Sequence, residues 1–261
     1  MNNIVVNFDQ ILAFAAQLGV PTTKKRGILR EFLQAKFISQ LYRLPGSQNL
    51  SFVGGTSMRL LRNLNRFSED LDFDSLNLVD EKIVSLVTET TKCFRQENIE
   101  VELVSKKREG KTFFELRFPF LLKQLAISTN PKEKLMVKVD YSCSWQDQKT
   151  EVLLMNHYGF LENIVTNTKN QLLVQKLTAF AKRKQVQPRA LYDVVWLVSQ
   201  GAKLDEQFMQ INKLSGLVDE ATARLANLKT GRALKNKLKP FLFDESQVDR
   251  LDLFESVLAK M

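Results

Sequence analysis

Apolar residues recur every three or four positions over residues 27–43, where polar and basic residues fill the intervening places. This spacing places the apolar side chains on one face and predicts an amphipathic helix. The same kind of pattern predicts helices over residues 56–64, 80–97, 168–185, 188–199, 217–228 and 246–260. Pro188 suits the first turn of its helix, because the N–H that proline lacks has no partner there.

Shorter runs predict β-strands over residues 50–53, 71–76, 99–104, 113–118 and 135–142. The last run alternates cleanly, with Val137 and Val139 on one face and Lys138 and Asp140 on the other. The turn Glu109-Gly110-Lys111 predicts that two of the strands form a hairpin. We therefore expect an α/β (α+β) core over residues 1–160, followed by a helical C-terminal domain over residues 161–261.

The composition is that of a globular protein, with 44% hydrophobic and 26% charged residues. Cys93 and Cys143 form no close pair and His157 is the only histidine, so a Cys/His zinc site lacks its usual ligands. Unclustered cysteines fit a reducing compartment. No stretch approaches the roughly 20 apolar residues that span a bilayer. We expect a soluble cytoplasmic protein without a membrane partner.

A net charge of +9 favours polyanionic partners, nucleic acid first among them. Basic residues form two clusters, one near the N-terminus and one over residues 224–239. The clusters comprise Lys24, Lys25, Arg26, Arg30, Lys36 and Arg43, and then Arg224, Lys229, Arg232, Lys235, Lys237 and Lys239. A solvated helix face explains either cluster alone, but two of them on a basic chain favour nucleic acid.

Three aspartates alternate along the predicted strand after residue 69, so Asp70, Asp72 and Asp74 share one face. Residues two apart on a strand lie about 7 Å from each other, and two carboxylates at that distance can converge on one divalent cation. Asp140 could supply a third ligand, or accept a proton from an attacking hydroxyl, if its strand neighbours the first. The alternative for all four is a polar strand face without a ligand.

The motif Gly54-Gly55-Thr56-Ser57 follows a predicted strand and opens a predicted helix. Its backbone N–H groups could bind phosphate, although it lacks the ending of a Walker A loop. A helix-capping turn is the alternative. Three arginines that follow, Arg59, Arg62 and Arg66, could contact phosphate or neutralise the aspartates.

In the helical half, Lys176 shares a face with apolar residues, and Arg189 and Asp193 stand four positions apart. Arg189 and Asp193 could pair on one helix. A salt bridge between helices would explain Lys176 and Asp193, and so would a lysine that reaches a triphosphate and is oriented by an aspartate.

Together these blocks resemble the AbiEii/AbiGii-type nucleotidyltransferase toxins over roughly residues 27–200. The resemblance is carried by the run from Phe52 to Arg59, the run from Arg66 to Phe73, Lys138-Val139-Asp140-Tyr141, Lys176-Leu177, and the run from Arg189 to Val194. It implies a polymerase-β-like nucleotidyltransferase core with a mixed sheet, NTP as substrate and Mg²⁺ or Mn²⁺ as cofactor. It also implies a toxin of a toxin–antitoxin or phage-defence system, with RNA (tRNA at its 3′ end) and an antitoxin as partners.

Carried over by position, the resemblance implies that Asp70 and Asp72 bind metal, Gly55 and Thr56 hold the triphosphate, and Lys176 and Asp193 complete the site. From the residues themselves we add Asp140 as a third metal ligand, and Gly54, Ser57, Arg66 and Lys176 as nucleotide-binding residues. The chain departs from the family pattern at Ala190, where an aspartate is common. Two alternatives stay open: nucleotide transfer to a protein side chain, and a non-catalytic nucleic-acid-binding protein that keeps the fold.

Overall fold

The computed structural model describes residues 3–108, 111–228 and 231–261. The predicted turn residues Glu109 and Gly110, and Lys229 of the second basic cluster, lie outside these ranges. The chain divides into two units built from interleaved segments. Unit 1 comprises Met1–Asn63, Phe67–Cys143 and Val152–Thr166; unit 2 comprises Leu64–Arg66, Ser144–Glu151 and Asn167–Met261.

The helices of unit 1 are α1 (Asn3–Val6), α2 (Phe8–Gln17), α3 (Lys25–Tyr42), α4 (Gly54–Arg62), α5 (Asp80–Gln96) and α6 (Leu121–Gln124). Its strands are β1 (Leu50–Val53), β2 (Asp70–Ser75), β3 (Glu102–Arg108), β4 (Lys111–Phe118) and β5 (Leu135–Ser142). A hairpin follows, formed by β6 (Thr150–His157) and β7 (Phe160–Asn167), and the unit boundaries fall within these two strands. The helices of unit 2 are α7 (Lys169–Lys182), α8 (Pro188–Ser199), α9 (Glu206–Ile211), α10 (Leu217–Ala226), α11 (Arg232–Leu238) and α12 (Phe254–Leu258).

The central sheet of unit 1 is mixed, as predicted, with strand order β1-β2-β5-β4-β3. β2 and β5 run parallel, whereas the other neighbours are antiparallel. One face is apolar, because alternate residues such as Phe52, Phe73 and Val139 point to the same side and are buried. Helix α3 contacts β5 and helix α5 contacts β4, so these helices cover the apolar face.

Strand β3 begins at Glu102, later than the predicted residue 99. Asn98 has a φ of 59°, and the Ile99 N–H donates to the Phe94 carbonyl, which closes the end of α5. Ile99 and Val101 are therefore buried in a connection rather than in a strand. Their apolar alternation resembles that of a strand because both side chains reach the core.

The β6–β7 hairpin was not predicted from the pattern of the sequence. Its two-residue turn consists of Tyr158 and Gly159, with φ angles of 54° and 80°. Positive φ at both central positions is the signature of a type I′ turn, which matches the twist of the flanking strands. Gly159 between two short runs rich in apolar residues is the signal that could have identified it.

In unit 2, helix α7 packs against α8 and α10, and the rings of Phe180 and Phe254 meet edge-to-face at 4.9 Å. The helix predicted over 246–260 is instead a 3₁₀ segment, Glu245–Leu253, followed by α12. The Asp244 carboxylate accepts from the Ser246 N–H and favours a tight first turn. Within the described ranges, no helix combines the length and apolar character needed to cross a membrane.

Candidate active site

The register of the central sheet brings three aspartates of unit 1 side by side. Parallel pairing of β2 with β5 places Asp72 opposite Asp140 and Asp70 opposite Lys138. All three aspartates are partly exposed on the polar face, whereas Leu71 between the first two is fully buried on the other face. The condition for Asp140 to join the first two aspartates, that its strand neighbours theirs, is therefore met. Asp74 lies on the same face but is only 2% exposed, so it is far less accessible.

The carboxylates are close enough to affect one another's ionisation. Burial, reinforced by the negative charges of Asp72 and Asp70, raises the pKa of Asp140 to about 6, and Lys138 opposes the shift only in part. Like charges that face each other across a sheet repel, and a cation bound among them would relieve the repulsion. The electrostatics of this face therefore favour a bound cation.

Gly54, the first residue of α4, lies directly against the Asp72 carboxylate. A Cβ atom built on Gly54 would fall 2.1 Å from Asp72 Oδ2, and the φ of Gly54 is +78°. Glycine is therefore required here both for the space that the carboxylate occupies and for the backbone conformation. The contact joins the glycine motif and the aspartates, two separate sequence features, into one location.

The hydroxyl groups that follow the glycines are turned into the protein. Thr56 Oγ1 donates to the Asp70 carbonyl at 2.5 Å, and Ser57 Oγ donates to the Gly54 carbonyl at 3.1 Å. Both residues are fully buried. Their side chains fasten α4 to β2 and close its first turn. The predicted contact of this motif with nucleotide stays a prediction and concerns its backbone N–H groups.

Arg59 is held by an acid that sequence reasoning did not single out. Its Nε and Nη2 lie 3.0 and 3.1 Å from the two carboxylate oxygens of Glu31. The Tyr158 hydroxyl donates to Glu31 at 2.9 Å, and all three side chains are buried. This buried cluster links α4 to α3 and to the turn between β6 and β7. Glu31 lies on a mostly apolar helix face, which is the one signal in the sequence that could have identified it.

In unit 2, Asp193 binds two cations. Arg66 makes two hydrogen bonds to it, Nε to Oδ1 at 2.7 Å and Nη2 to Oδ2 at 2.6 Å, and Lys176 Nζ lies 2.8 Å from Oδ2. Burial opposes ionisation, but the charges of Arg66 and Lys176 outweigh it and lower the pKa of Asp193. Of the two explanations left open for Lys176 and Asp193, the salt bridge between helices is present in the structure. The Arg189 guanidinium, meanwhile, lies 4.3 Å from the ring centre of Phe241.

Arg66 and Lys176, both predicted to bind nucleotide, differ in how accessible their contacts with Asp193 leave them. Arg66 is 1% exposed, and its Nε and Nη2 both donate to Asp193. The side chain of Lys176 is 17% exposed. Nucleotide binding by either residue stays a prediction. In the structure, the Arg66 guanidinium binds the Asp193 carboxylate.

The donor set on the polar sheet face suits a hard divalent cation. Carboxylate oxygens of Asp70, Asp72 and Asp140 are the ligands that Mg²⁺ or Mn²⁺ prefers, and Mg²⁺ commonly takes few carboxylates and completes its shell with water and phosphates. Among the residues that the structure describes, no three acidic, histidine or cysteine side chains form a ready-made metal cage. The predicted three-ligand site is therefore not preformed, and the remaining ligands would come from substrate and water.

Four residues of the first basic cluster and two of the second make contacts within their own units. In the first, Arg30 pairs with Glu69 at 3.0 Å, Lys36 with Glu97 at 2.5 Å and Arg43 with Glu162 at 2.8 Å; Arg26 pairs with Glu133. In the second, Arg224 donates to the Ala181 and Arg183 carbonyls, and Lys235 pairs with Asp249 and Asp252. The number of cations available to a polyanion is therefore smaller than the sequence suggests.

The chain is similar to a known protein family over most of its length. The model of a family described as nucleotidyl transferase AbiEii toxin, type IV toxin–antitoxin system, matches residues 36–256. No curated protein sequence is significantly similar to the chain.

Two solved structures from Helicobacter pylori are similar in fold. One is the structure of a protein described as a candidate nucleotidyltransferase. Its sequence is 19% identical to this chain, the TM-score is 0.51, and the match covers 90% of this chain and 95% of that one. The other, of the protein JHP933, is 17% identical with a TM-score of 0.49, over 90% of this chain and 92% of that one.

Proposed function

Because this chain belongs to the AbiEii family of nucleotidyltransferase toxins of type IV toxin–antitoxin systems, we propose that it transfers a nucleoside monophosphate from an NTP to the 3′ end of an RNA, with tRNA as the acceptor. The family match covers most of the chain and implies an antitoxin partner. The observation that carries the chemistry is the register that sets Asp72 opposite Asp140, with Asp72 also lying against the first glycine of α4.

In the proposed reaction, the acceptor hydroxyl oxygen forms a bond to the α-phosphorus of the NTP. The bond from that phosphorus to the bridging oxygen breaks, and pyrophosphate leaves in line with the attack. A magnesium ion held by Asp70 and Asp72 would neutralise charge on the phosphates. Backbone N–H groups at the start of α4 bind phosphate, because a helix N-terminus carries partial positive charge.

Asp140 is the proposed acceptor of the proton that the hydroxyl loses. A base works best when its pKa lies near the working pH. In the metal-free chain the pKa of Asp140 is about 6, and burial, its largest cause, continues to raise the pKa when a cation neutralises Asp70 and Asp72. In the same proposal, Lys176 binds the NTP and Asp193 orients its ammonium group, which agrees with the partial exposure of Lys176.

The proposal is tested by incubating the purified chain with each radiolabelled NTP, Mg²⁺ and total cellular RNA. We expect label in RNA for at least one NTP and none after chelation of the metal. Asp70→Ala and Asp72→Ala should each lower the rate on the order of 100-fold or more, since even a change beside a metal ligand costs 10- to 100-fold. Asp219→Ala, which removes an exposed aspartate of α10, is the matched control.

Each outcome of this experiment distinguishes between the alternatives. Label in protein rather than RNA would favour transfer to a protein side chain. No label with any NTP would favour a non-catalytic nucleic-acid-binding protein. Near wild-type rates in either aspartate variant would refute the assignment of Asp70 and Asp72 as the metal pair.

A further inference from the structure

The polar face that carries the aspartates continues across two more strands of the sheet. Phe114 pairs with Val139, so the preceding residue, Phe113, lies beside Asp140 on the same face. Phe113 in turn pairs with Lys106 on β3. One row of side chains therefore runs across four strands, from Asp72 through Asp140 and Phe113 to Lys106.

Phe113 is an aromatic residue on the polar face of its strand. Its neighbours Phe114 and Leu116 are at most 1% exposed on the apolar face, whereas Phe113 is partly exposed. No aromatic ring of the described residues stacks on it. The neighbouring residues of its own strand on this face, Glu115 and Arg117, are charged. Packing of the core therefore does not account for a phenylalanine here.

Charges of both signs flank the Phe113 ring: Asp140 lies beside it on β5, whereas Lys106 is its partner on β3. Glu115 binds Lys106 at 2.7 Å and Arg117 at 2.5 Å, so one acid faces two bases. Lys138, opposite both Asp70 and Glu115, adds an exposed ammonium group. An accessible ring flanked by cations is the combination that binds single-stranded nucleic acid, because bases stack on the ring and phosphates meet the cations.

The direction of the row distinguishes the two substrates of the proposed reaction. Gly54 and the start of α4 lie on the β1 side of Asp72, whereas Phe113 lies on the opposite side, beyond Asp140. An in-line displacement places the attacking and leaving oxygens on opposite sides of the phosphorus. If the leaving pyrophosphate is held at α4, the acceptor approaches from the side of Asp140 and Phe113.

We propose that Phe113 stacks on the terminal base of a single-stranded RNA acceptor, with Lys106 and Lys138 beside the acceptor's backbone phosphates. This inference rests on the proposed function and deepens it by assigning a subsite for the acceptor. The unpaired terminal base is required, since a base stacked within a duplex cannot lie on a protein ring.

The test measures binding of a short single-stranded RNA with 2-aminopurine at its 3′ end, without NTP or metal. Stacking on Phe113 should quench the fluorescence. Phe113→Ala and Phe113→Leu should each raise the Kd between about 5- and 150-fold, as the loss of one stacked base predicts, whereas Phe113→Trp should retain binding. The control is Phe120→Ala, which removes a ring that is 49% exposed beyond the far end of β4.

Kinetics of transfer provide the second measurement. Phe113→Leu should raise KM for the RNA and leave KM for the NTP unchanged. Wild-type Kd in both Phe113→Ala and Phe113→Leu would overturn the proposal, as would a rise in KM for the NTP alone. The binding measurement needs no catalysis. An absence of transfer by the wild-type chain would therefore count against the proposed function and leave the result for Phe113 standing.

Discussion

At the scale of single residues, one methyl group added at Gly54 should impair both nucleotide transfer and stability. The Cβ of Gly54→Ala would collide with the Asp72 carboxylate, and the positive φ adds strain of about 1–3 kcal/mol. We expect transfer to fall to background and the Tm to drop. The control is Gly216→Ala, because a Cβ on Gly216 meets nothing within 4 Å. Wild-type turnover by Gly54→Ala would show that this close approach is dispensable.

His157 is a second residue with a distinct expected effect. Burial, reinforced by the charge of Arg59, lowers the pKa of His157 to about 4, and the buried Nδ1 has no hydrogen-bond partner in the described part of the chain. Between about pH 6.5 and 4 the unfolded chain binds a proton there and the folded chain does not. The contribution of His157 to the free energy of unfolding should therefore fall by about 3 kcal/mol as the pH is lowered through this window, whereas Asp140, with its raised pKa, contributes in the opposite direction.

Urea unfolding of the wild-type chain and of His157→Gln at a series of pH values measures this contribution as the difference between the two. The chain has a single histidine, so its imidazole resonances can be followed by NMR without assignment. An imidazole that titrates near pH 6.5 in the folded protein would contradict the prediction.

At the scale of helices and strands, local patterns predicted the elements whose side chains alternate cleanly between core and solvent. The strand over residues 135–142 and the helix over 188–199 begin and end as predicted, because a single periodicity covers the whole of each. The β6–β7 hairpin was missed because Val152, Leu154 and Leu161 are exposed, so its outward face carries apolar residues where polar ones are expected.

Much of the candidate site was predictable and its arrangement was not. Asp70, Asp72 and the glycine motif were identified as residue types suited to metal and phosphate. The contact of Gly54 with Asp72, and the pairing of Asp72 with Asp140, depend on strand order and register. These are set by packing between residues far apart in sequence, so a one-dimensional pattern cannot reveal them.

A prediction at this scale concerns the ion pairs that Asp193 of α8 makes with Arg66 and with Lys176 of α7. Asp193→Ala would leave the Arg66 guanidinium buried without its carboxylate, at a cost of about 3–5 kcal/mol in stability. Lys176→Ala should cost less, because its side chain is partly exposed, and should weaken NTP binding more than RNA binding. Thermal unfolding and calorimetric titration with NTP measure the two effects.

The control for Lys176→Ala is Lys182→Ala, which removes an exposed lysine of the same helix. Equal NTP affinity in Lys176→Ala and the wild-type chain would assign Lys176 a structural role only.

At the scale of the whole molecule, the net charge of +9 should show in the salt dependence of RNA binding. Lys237 is exposed and Lys239 is partly exposed, whereas Lys235 is engaged by Asp249 and Asp252. If the second cluster contacts RNA, changing both Lys237 and Lys239 to Glu should weaken binding. It should also reduce the slope of log affinity against log salt by about 1.4, at about 0.7 per phosphate.

The control for this prediction is Lys235→Gln, which should leave the salt slope unchanged. An unaltered slope in the double variant would exclude this segment from the RNA path, and loss of antitoxin binding alone would make it a docking surface for that partner.

The interleaving of the two units has a consequence for synthesis on the ribosome. The segment Leu64–Arg66 belongs to unit 2, where Arg66 forms a β-bridge with Leu242 and its guanidinium binds Asp193, which stands 127 positions later in the chain. Domains generally fold as they emerge, the N-terminal part first. Here the carboxylates of unit 1 leave the ribosome early, while Arg66 must wait for α8. A nascent chain that stops after Thr166 would hold every proposed metal ligand but would lack Asp193 and Leu242, which Arg66 contacts in unit 2.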